Sequence, residues 1–252
     1  MKSITVQLKK SIHELETIQE RLEFLKEKYK DDTVYIITCG PSLNDHDHDI
    51  IREKLKDKLV ICIKQSYDIF SDITDFHVLN TYNLKDYNWL DHTITLWGVG
   101  KYYQEGQLTR ILQSQYPIDL YVPVLQPPYI SENEQTARTK NFDDFLRLGK
   151  DTEVMWGPAV MYELAIPLSI HLGCSQIVTI GWDIGDPNSN IHGHFGNWKT
   201  DVAPRENEII QAIESTYALY DWCTCHDINF TILSKTNPAD PRFTRLPSVE
   251  SL

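Results

Sequence analysis

Apolar and polar positions alternate along the chain in two rhythms. From about Gln7 to Tyr29 the apolar residues Leu15, Ile18, Leu22, Leu25 and Tyr29 recur at three- and four-residue steps. That spacing predicts one uninterrupted amphipathic helix with a narrow apolar seam. The seam is short, so packing of the helix on the rest of the domain is favoured over contact between two copies of the chain. Further on, short β-branched apolar runs predict strands over Val34–Thr38, Leu59–Ile63, Phe76–Leu79, Thr93–Trp97, Leu120–Val124, Gln176–Ile180 and Asn229–Leu233. Helical periodicity fills the intervals near Asp47–Lys56, Tyr102–Gln115, Phe142–Leu148, Pro158–Leu172 and Glu206–Cys225. Strands that alternate with helices predict an α/β fold, a mostly parallel sheet with helices on both faces. In such a sheet the ligand crevice lies beyond the carboxyl ends of the strands.

The pattern divides the chain into an N-terminal helix over residues 1–30 and a single domain over residues 31–252. One interval breaks the rhythm. Residues 122–152 carry Pro127-Pro128-Tyr129 and the polar run "SENEQTARTKN", which lacks any period. A segment of this kind in a compact domain reads as a small lid or binding loop, mobile without substrate.

Charge and cysteine usage narrow the partners. With 24 Lys and Arg against 36 Asp and Glu, the formal net charge is −12. A general nucleic-acid partner needs a basic face to displace counterions and is excluded by this balance. No apolar run approaches the ~18 residues of a membrane span, and the first thirty residues do not have the form of a secretory signal. The five cysteines, Cys39, Cys62, Cys174, Cys223 and Cys225, are odd in number and read as reduced thiols of a cytoplasmic protein. Peripheral contact with the inner face of a membrane remains compatible with that location.

Three stretches carry candidate chemistry. In "VYIITCGPSLND", Val34 to Asp45, an apolar strand breaks into Gly40-Pro41-Ser42. A strand ending in so sharp a turn is expected to leave backbone N–H groups free to hold an anion. The adjacent His46-Asp47-His48-Asp49 reads as the solvated start of a helix rather than a set of metal ligands. In "WGPAVMYELAIPLSIHLGCSQIVTIGWDIGD", Trp156 to Asp186, Gly157-Pro158 opens a helix, and a strand follows whose tip carries Trp182-Asp183. Both turns fall at the same end of the sheet, an arrangement that favours a phosphate-bearing ligand. In "NSNIHGHFGNWKTD", Asn188 to Asp201, His192, His194, Asn197, Lys199 and Asp201 lie between glycines. An imidazole with a pKa of about 6.5 beside an anion site can serve as a general base.

Taken in order, Gly-Pro-Ser-Leu after the first strand, "LGCSQIVTIGWDI" and "GHFGNWKTD" resemble the bacterial sialyltransferases that build lipooligosaccharide. Their wider relatives include β-Kdo transferases and transferases that modify flagellin with nonulosonic acids. The resemblance runs from about Thr33 to the C-terminus. It implies a Rossmann-like nucleotide-binding domain that takes a CMP-activated nonulosonic acid (sialic acid, Kdo or similar) and passes it to a hydroxyl of a glycan or glycolipid, with no metal or other cofactor required. By position it implies that Gly40, Pro41 and Ser42 line the nucleotide phosphate and that Asn80 contacts the nucleotide. Gly157 and Pro158 would present a helix start to the cytidine or the donor carboxylate. His194 would be the base; Trp182, Asn188, Asn190 and Lys199 are what the chain offers in place of the tyrosine pair that grips the phosphate in that family, and Asn197 is a further candidate donor contact. Asp183 is the candidate nucleophile if the reaction retains configuration. Cys39 and Lys64-Gln65 stand where the family commonly has Asn. Two other readings stand beside it: a Mg²⁺-dependent pterin pyrophosphokinase, whose family shares the Gly-Pro-Ser-Leu turn, using Asp183 and Asp186, and a non-catalytic nucleotide-binding or assembly protein with the N-terminal helix as its interaction element.

Overall fold

The computed structural model describes residues 2–80, 85–100, 118–124, 146, 148, 160–184, 206–234 and 237–252. Among these, eight strands form one sheet: β1 (Thr33–Ile37), β2 (Leu59–Ile63), β3 (Phe76–Asn80), β4 (Ile94–Gly100), β5 (Leu120–Val124), β6 (Gln176–Ile180), β7 (Asn229–Leu233) and β8 (Thr244–Leu246). The order across the sheet is β5-β4-β3-β2-β1-β6-β7-β8, and every ladder is parallel. The chain thus builds outward from β1 to β5, then returns to the other side of β1 with β6. This reversal makes the gap above β1 and β6 the switch point of a Rossmann-like sheet, where such folds place ligands.

Alternation along each strand splits the core into two halves. Ile36, Ile61 and Val78 face one layer, and Ile37, Cys62 and Leu79 face the other. The first layer is covered by α1 (Lys2–His13), α2 (Ile18–Leu25), a helical run that includes a π-helix over Met161–Ala165 and continues as α5 (Ile166–His171), and α6 (Glu206–Cys225). The second is covered by α3 (His48–Leu55), α4 (Ser66–Phe70) and the C-terminal turn around Val249. Helices therefore lie on both faces, as the alternation of strands and helices predicts. None of the five cysteines is in a disulfide.

Two expectations change. The helix predicted from Gln7 to Tyr29 is two helices, because Thr17 and Glu20 form a capping box: Glu20 N donates to Thr17 Oγ1 at 3.2 Å, and Thr17 N donates to Glu20 Oε2 at 2.9 Å. These bonds start a new helix and end the old one. The seam points inward, with Leu22, Leu25 and Tyr29 buried in the same core as Val34 and Ile36. β8, only three residues long, has too little pattern to be read as a strand. The helix expected near Tyr102–Gln115 and almost all of the lid interval beyond β5 lie outside the described residues.

The N-terminal helices are pinned to the amino ends of the strands by two buried carboxylates. Asp75, just before β3, accepts from Val60 N at 3.0 Å and from Thr5 Oγ1 at 2.5 Å. Asp119, just before β5, accepts from Thr95 N at 2.8 Å and lies 2.5 Å from His13 Nε2 and 3.4 Å from Lys9 Nζ. Arg21 closes the same edge by donating to the carbonyls of Ile118 and Asp119. The opposite edge, where the strands end, is left for the site.

Candidate functional site

At the switch point the turns after β1 and β6 are bonded to each other. Thr38 N donates to Ile180 O at 2.9 Å, and Gly40 N donates to Gly181 O at 3.0 Å. The Thr38 hydroxyl also donates to Gly181 O. Ser42 N donates to Asp183 Oδ2 at 2.7 Å. The sequence at both turns follows from this closeness. A Cβ on Gly40 would collide with Gly181 O and with the Asp183 carboxylate, and Gly181 adopts a left-handed φ of 72°.

These bonds correct one expectation. The amides of the Gly40-Pro41-Ser42 turn are not open to an external anion. Gly40 N and Ser42 N are used, Pro41 has no N–H, and Leu43 N donates back to Gly40 O at 3.1 Å. The anion this turn holds is the chain's own Asp183. The turn instead offers its hydroxyl, since Ser42 Oγ is buried without a hydrogen-bond partner among the described residues.

Asn80 ends β3 and is buried, and its Oδ1 likewise has no partner among the described residues. Trp182 buries its ring in the core, with ring centroids 6.1 Å from Tyr162 and 5.7 Å from Phe230. Its backbone reaches the turn, where its carbonyl accepts from Asn237 Nδ2. Asp47 caps α3 through Asp49 N and Ile50 N, in keeping with a solvated helix start at His46–Asp49. Gly157, Pro158, His192, His194, Asn197, Lys199 and Asp186 lie outside the described residues. The switch point thus brings Gly40, Pro41, Ser42 and Asp183 together at the tips of β1 and β6, with Asn80 two strands away on the same edge.

Sequence reasoning assigned no role to a second group on this edge. Lys64 follows β2 directly and has a left-handed φ of 51°. Its backbone is fixed on both sides: Lys64 N donates to Val78 O at 3.0 Å, and its carbonyl accepts from His77 Nε2 at 2.9 Å. His77 is fully buried in an aromatic cluster, stacked on Tyr67 at 4.4 Å and edge-on to Tyr87 at 4.7 Å. Its Nδ1 accepts from Trp89 Nε1 at 2.7 Å, which fixes the neutral tautomer with the proton on Nε2. Burial pushes the imidazole pKa down to about 3. Burial also raises the Cys39 thiol, opposed by the nearby Lys64 ammonium. The signal for Lys64 was its place directly after the run "LVICI", level with Cys39 after the first strand.

In architecture the chain is similar to the solved structure of the MAf glycosyltransferase from Magnetospirillum magneticum AMB-1. The TM-score is 0.51 at 14% sequence identity, and the likeness covers 90% of this chain and 35% of that one. The chain thus spans about a third of that protein's length, and the likeness carries the fold. No protein-family model matches the chain, and no curated protein does. Among the described residues no group of three or more His, Cys, Asp or Glu side chains is placed to hold a metal ion. No described helix is long and apolar enough to cross a membrane.

Proposed function

We propose that the chain is a glycosyltransferase that moves a nonulosonic acid, such as sialic acid or Kdo, from a CMP-activated donor to a hydroxyl of a glycan or glycolipid. One observation carries the reading. The switch point of the sheet closes Gly40 against Gly181 and Asp183, beside a buried Ser42 hydroxyl that has no partner among the described residues. A fold shared with a protein described as a glycosyltransferase supports it.

In this reading Ser42 and Asn80 receive the nucleotide, while Gly157, Pro158, Asn197 and Lys199, as the sequence resemblance implies, complete the donor site. The acceptor oxygen bonds to the anomeric carbon as the bond from that carbon to the phosphate oxygen breaks. His194 takes the hydroxyl proton. The anomeric carbon is tertiary, so its bond to phosphate breaks early, and the protein's work is to hold the departing phosphate and exclude water. Asp183 has one oxygen held by Ser42 N, which leaves the other to face the anomeric centre. It stabilises positive charge there in an inverting reaction and attacks it in a retaining one.

The test is a thermal-shift panel of CMP, CDP, UDP and GDP with and without EDTA, followed by an assay of CMP release from CMP-sialic acid and CMP-Kdo. Stabilisation by CMP that survives EDTA is expected, worth ~2.7 kcal/mol at a hundred times the dissociation constant. His194→Ala is expected to lower turnover by about 10²-fold or more with CMP affinity unchanged. Stabilisation by UDP or GDP alone, or CMP release abolished by EDTA, would overturn the reading.

A further inference from the structure

We infer that the tips of β1, β2 and β3 form an anion subsite centred on Lys64, that it takes the phosphate of a nucleotide, and that His77 is the positioning residue that holds Lys64 in place. The inference deepens the donor reading above by assigning the donor's charged group to a cation that the sequence comparison passed over.

The need for such a cation follows from the β1 turn. Its amides are spent on Gly181 O and Asp183, and the Asp183 carboxylate places a negative charge where the phosphate was expected to rest. An incoming phosphate therefore requires positive charge from elsewhere on the edge. Lys64 supplies it. It follows β2 directly, and its backbone nitrogen bonds Val78 O, so it sits level with the end of β3 and close to Asn80. It forms no ion pair among the described residues, yet its ammonium lies near enough to Cys39 to act on the buried thiol, as does Asp183 from the other side. Lys64 follows β2 and Asp183 comes after β6, so the two stand on either side of Cys39, which follows β1, at the carboxyl edge of the sheet.

The surroundings are those of a built site. Ser42 Oγ, Gln65 Oε1, Asn80 Oδ1 and Tyr87 OH are buried polar atoms without a hydrogen-bond partner among the described residues. Asn80 is 8% exposed and Tyr87 is 1% exposed. Buried polar atoms are nearly always bonded, so four orphans on the tips of neighbouring strands and the loop beside them mark a place for a ligand rich in donors and acceptors. A nucleoside monophosphate fits that description, with its charge on Lys64 and its ribose and base beside the amides.

The backbone of Lys64 adds an independent reason. A left-handed φ costs any residue but glycine, and strained residues persist where function requires them. Here the strain is held by a fully buried imidazole whose tautomer is set by Trp89, so that its Nε2–H can only donate to Lys64 O. His77 is sealed from solvent and bears on the charge of the subsite through Lys64, while its ring also packs edge-on against Tyr87.

The experiment is calorimetric titration of the full chain with CMP, cytidine and inorganic pyrophosphate, for wild type, Lys64→Met, Lys64→Arg, Lys64→Gly and His77→Phe. Lys64→Met is expected to weaken CMP by about 10- to 100-fold, the worth of a charge-assisted bond, and to leave cytidine unchanged. Lys64→Arg should stay within a few-fold of wild type. Lys64→Gly should lose CMP affinity as Lys64→Met does, yet raise the melting temperature of the free protein by about 2–4 °C. His77→Phe should weaken CMP but not cytidine, and the double variant with Lys64→Met should bind no more weakly than Lys64→Met alone. Equal CMP affinity in wild type and Lys64→Met, or no phosphate compound binding to wild type, would overturn the subsite. If CMP fails but pyrophosphate or another nucleoside monophosphate binds in a Lys64-dependent way, the subsite stands and the CMP-donor reading falls.

Discussion

Asp183 shows how one side chain can organise two turns. Its Oδ2 takes the Ser42 amide at 2.7 Å, and its carboxylate occupies the space that a side chain on Gly40 would need. The bond is charge-assisted, but Asp183 is half-buried, so solvent screening lowers its worth to about 1–2 kcal/mol. Asp183→Ala should therefore lower unfolding stability by that amount, since Ser42 N is left without its acceptor. Asp183→Asn keeps an oxygen in place and should lose less than about 1 kcal/mol. Urea unfolding of the two variants checks this, and an equal loss in both would mean that the charge rather than the hydrogen bond holds the turns together. Gly40→Ala is not expected to be rescued by Asp183→Ala, because the Gly181 carbonyl still blocks the added methyl.

At the scale of elements, the two ends of the sheet do different work. The amino ends are fastened by Asp75 and Asp119 to α1 and α2, while the carboxyl ends gather polar atoms without partners. Asp119 is fully buried and bonds Thr95, His13 and Lys9. Removing a buried charge partner is costly, but Lys9 and His13 are partly exposed and can be rehydrated, so Asp119→Ala should cost roughly 2–4 kcal/mol. A five-residue strand separates this edge from the site by roughly 16 Å. The variant should therefore bind CMP with unchanged affinity at temperatures where it is folded, and a changed dissociation constant would show that α1 reaches the site. This division of labour also explains what could be read beforehand. Four strands, β2, β5, β6 and β7, carry long enough apolar β-branched runs that their limits matched the sequence pattern, whereas the strand order across the sheet was not legible in it. The break between α1 and α2 was written in Thr17-x-x-Glu20 but overridden by the apolar seam. The use of the β1 amides by Asp183, and the left-handed Lys64 held by His77, depend on contacts between segments 13 to 141 residues apart. Local pattern contains no record of them.

For the molecule as a whole, the buried imidazole that positions Lys64 also couples folding to pH. His77 has an ordinary pKa of about 6.5 in the unfolded chain and about 3 in the folded one, because the neutral ring is sealed among Tyr67, Tyr87 and Trp89. Between these values the unfolded chain holds one more proton at this site than the folded chain, so stability rises with pH. His77 thus makes no demand on stability above pH 6.5 and an increasing one as pH falls towards 3. The slope is about 1.4 kcal/mol per pH unit, which amounts to about 3 kcal/mol by pH 4. Carboxylates that titrate in the same range add to the absolute curve, so the informative quantity is the difference between wild type and His77→Phe. Unfolding free energies measured by urea from pH 4 to pH 8 should converge towards a constant offset above pH 6.5. Below that they should show a steeper decline for wild type, since phenylalanine has no proton to take up. Parallel curves across the whole range would mean that the ring is protonated in the folded state. A protonated ring cannot accept from Trp89 at Nδ1, and the fixed tautomer that presents Nε2–H to the Lys64 carbonyl would be lost with it.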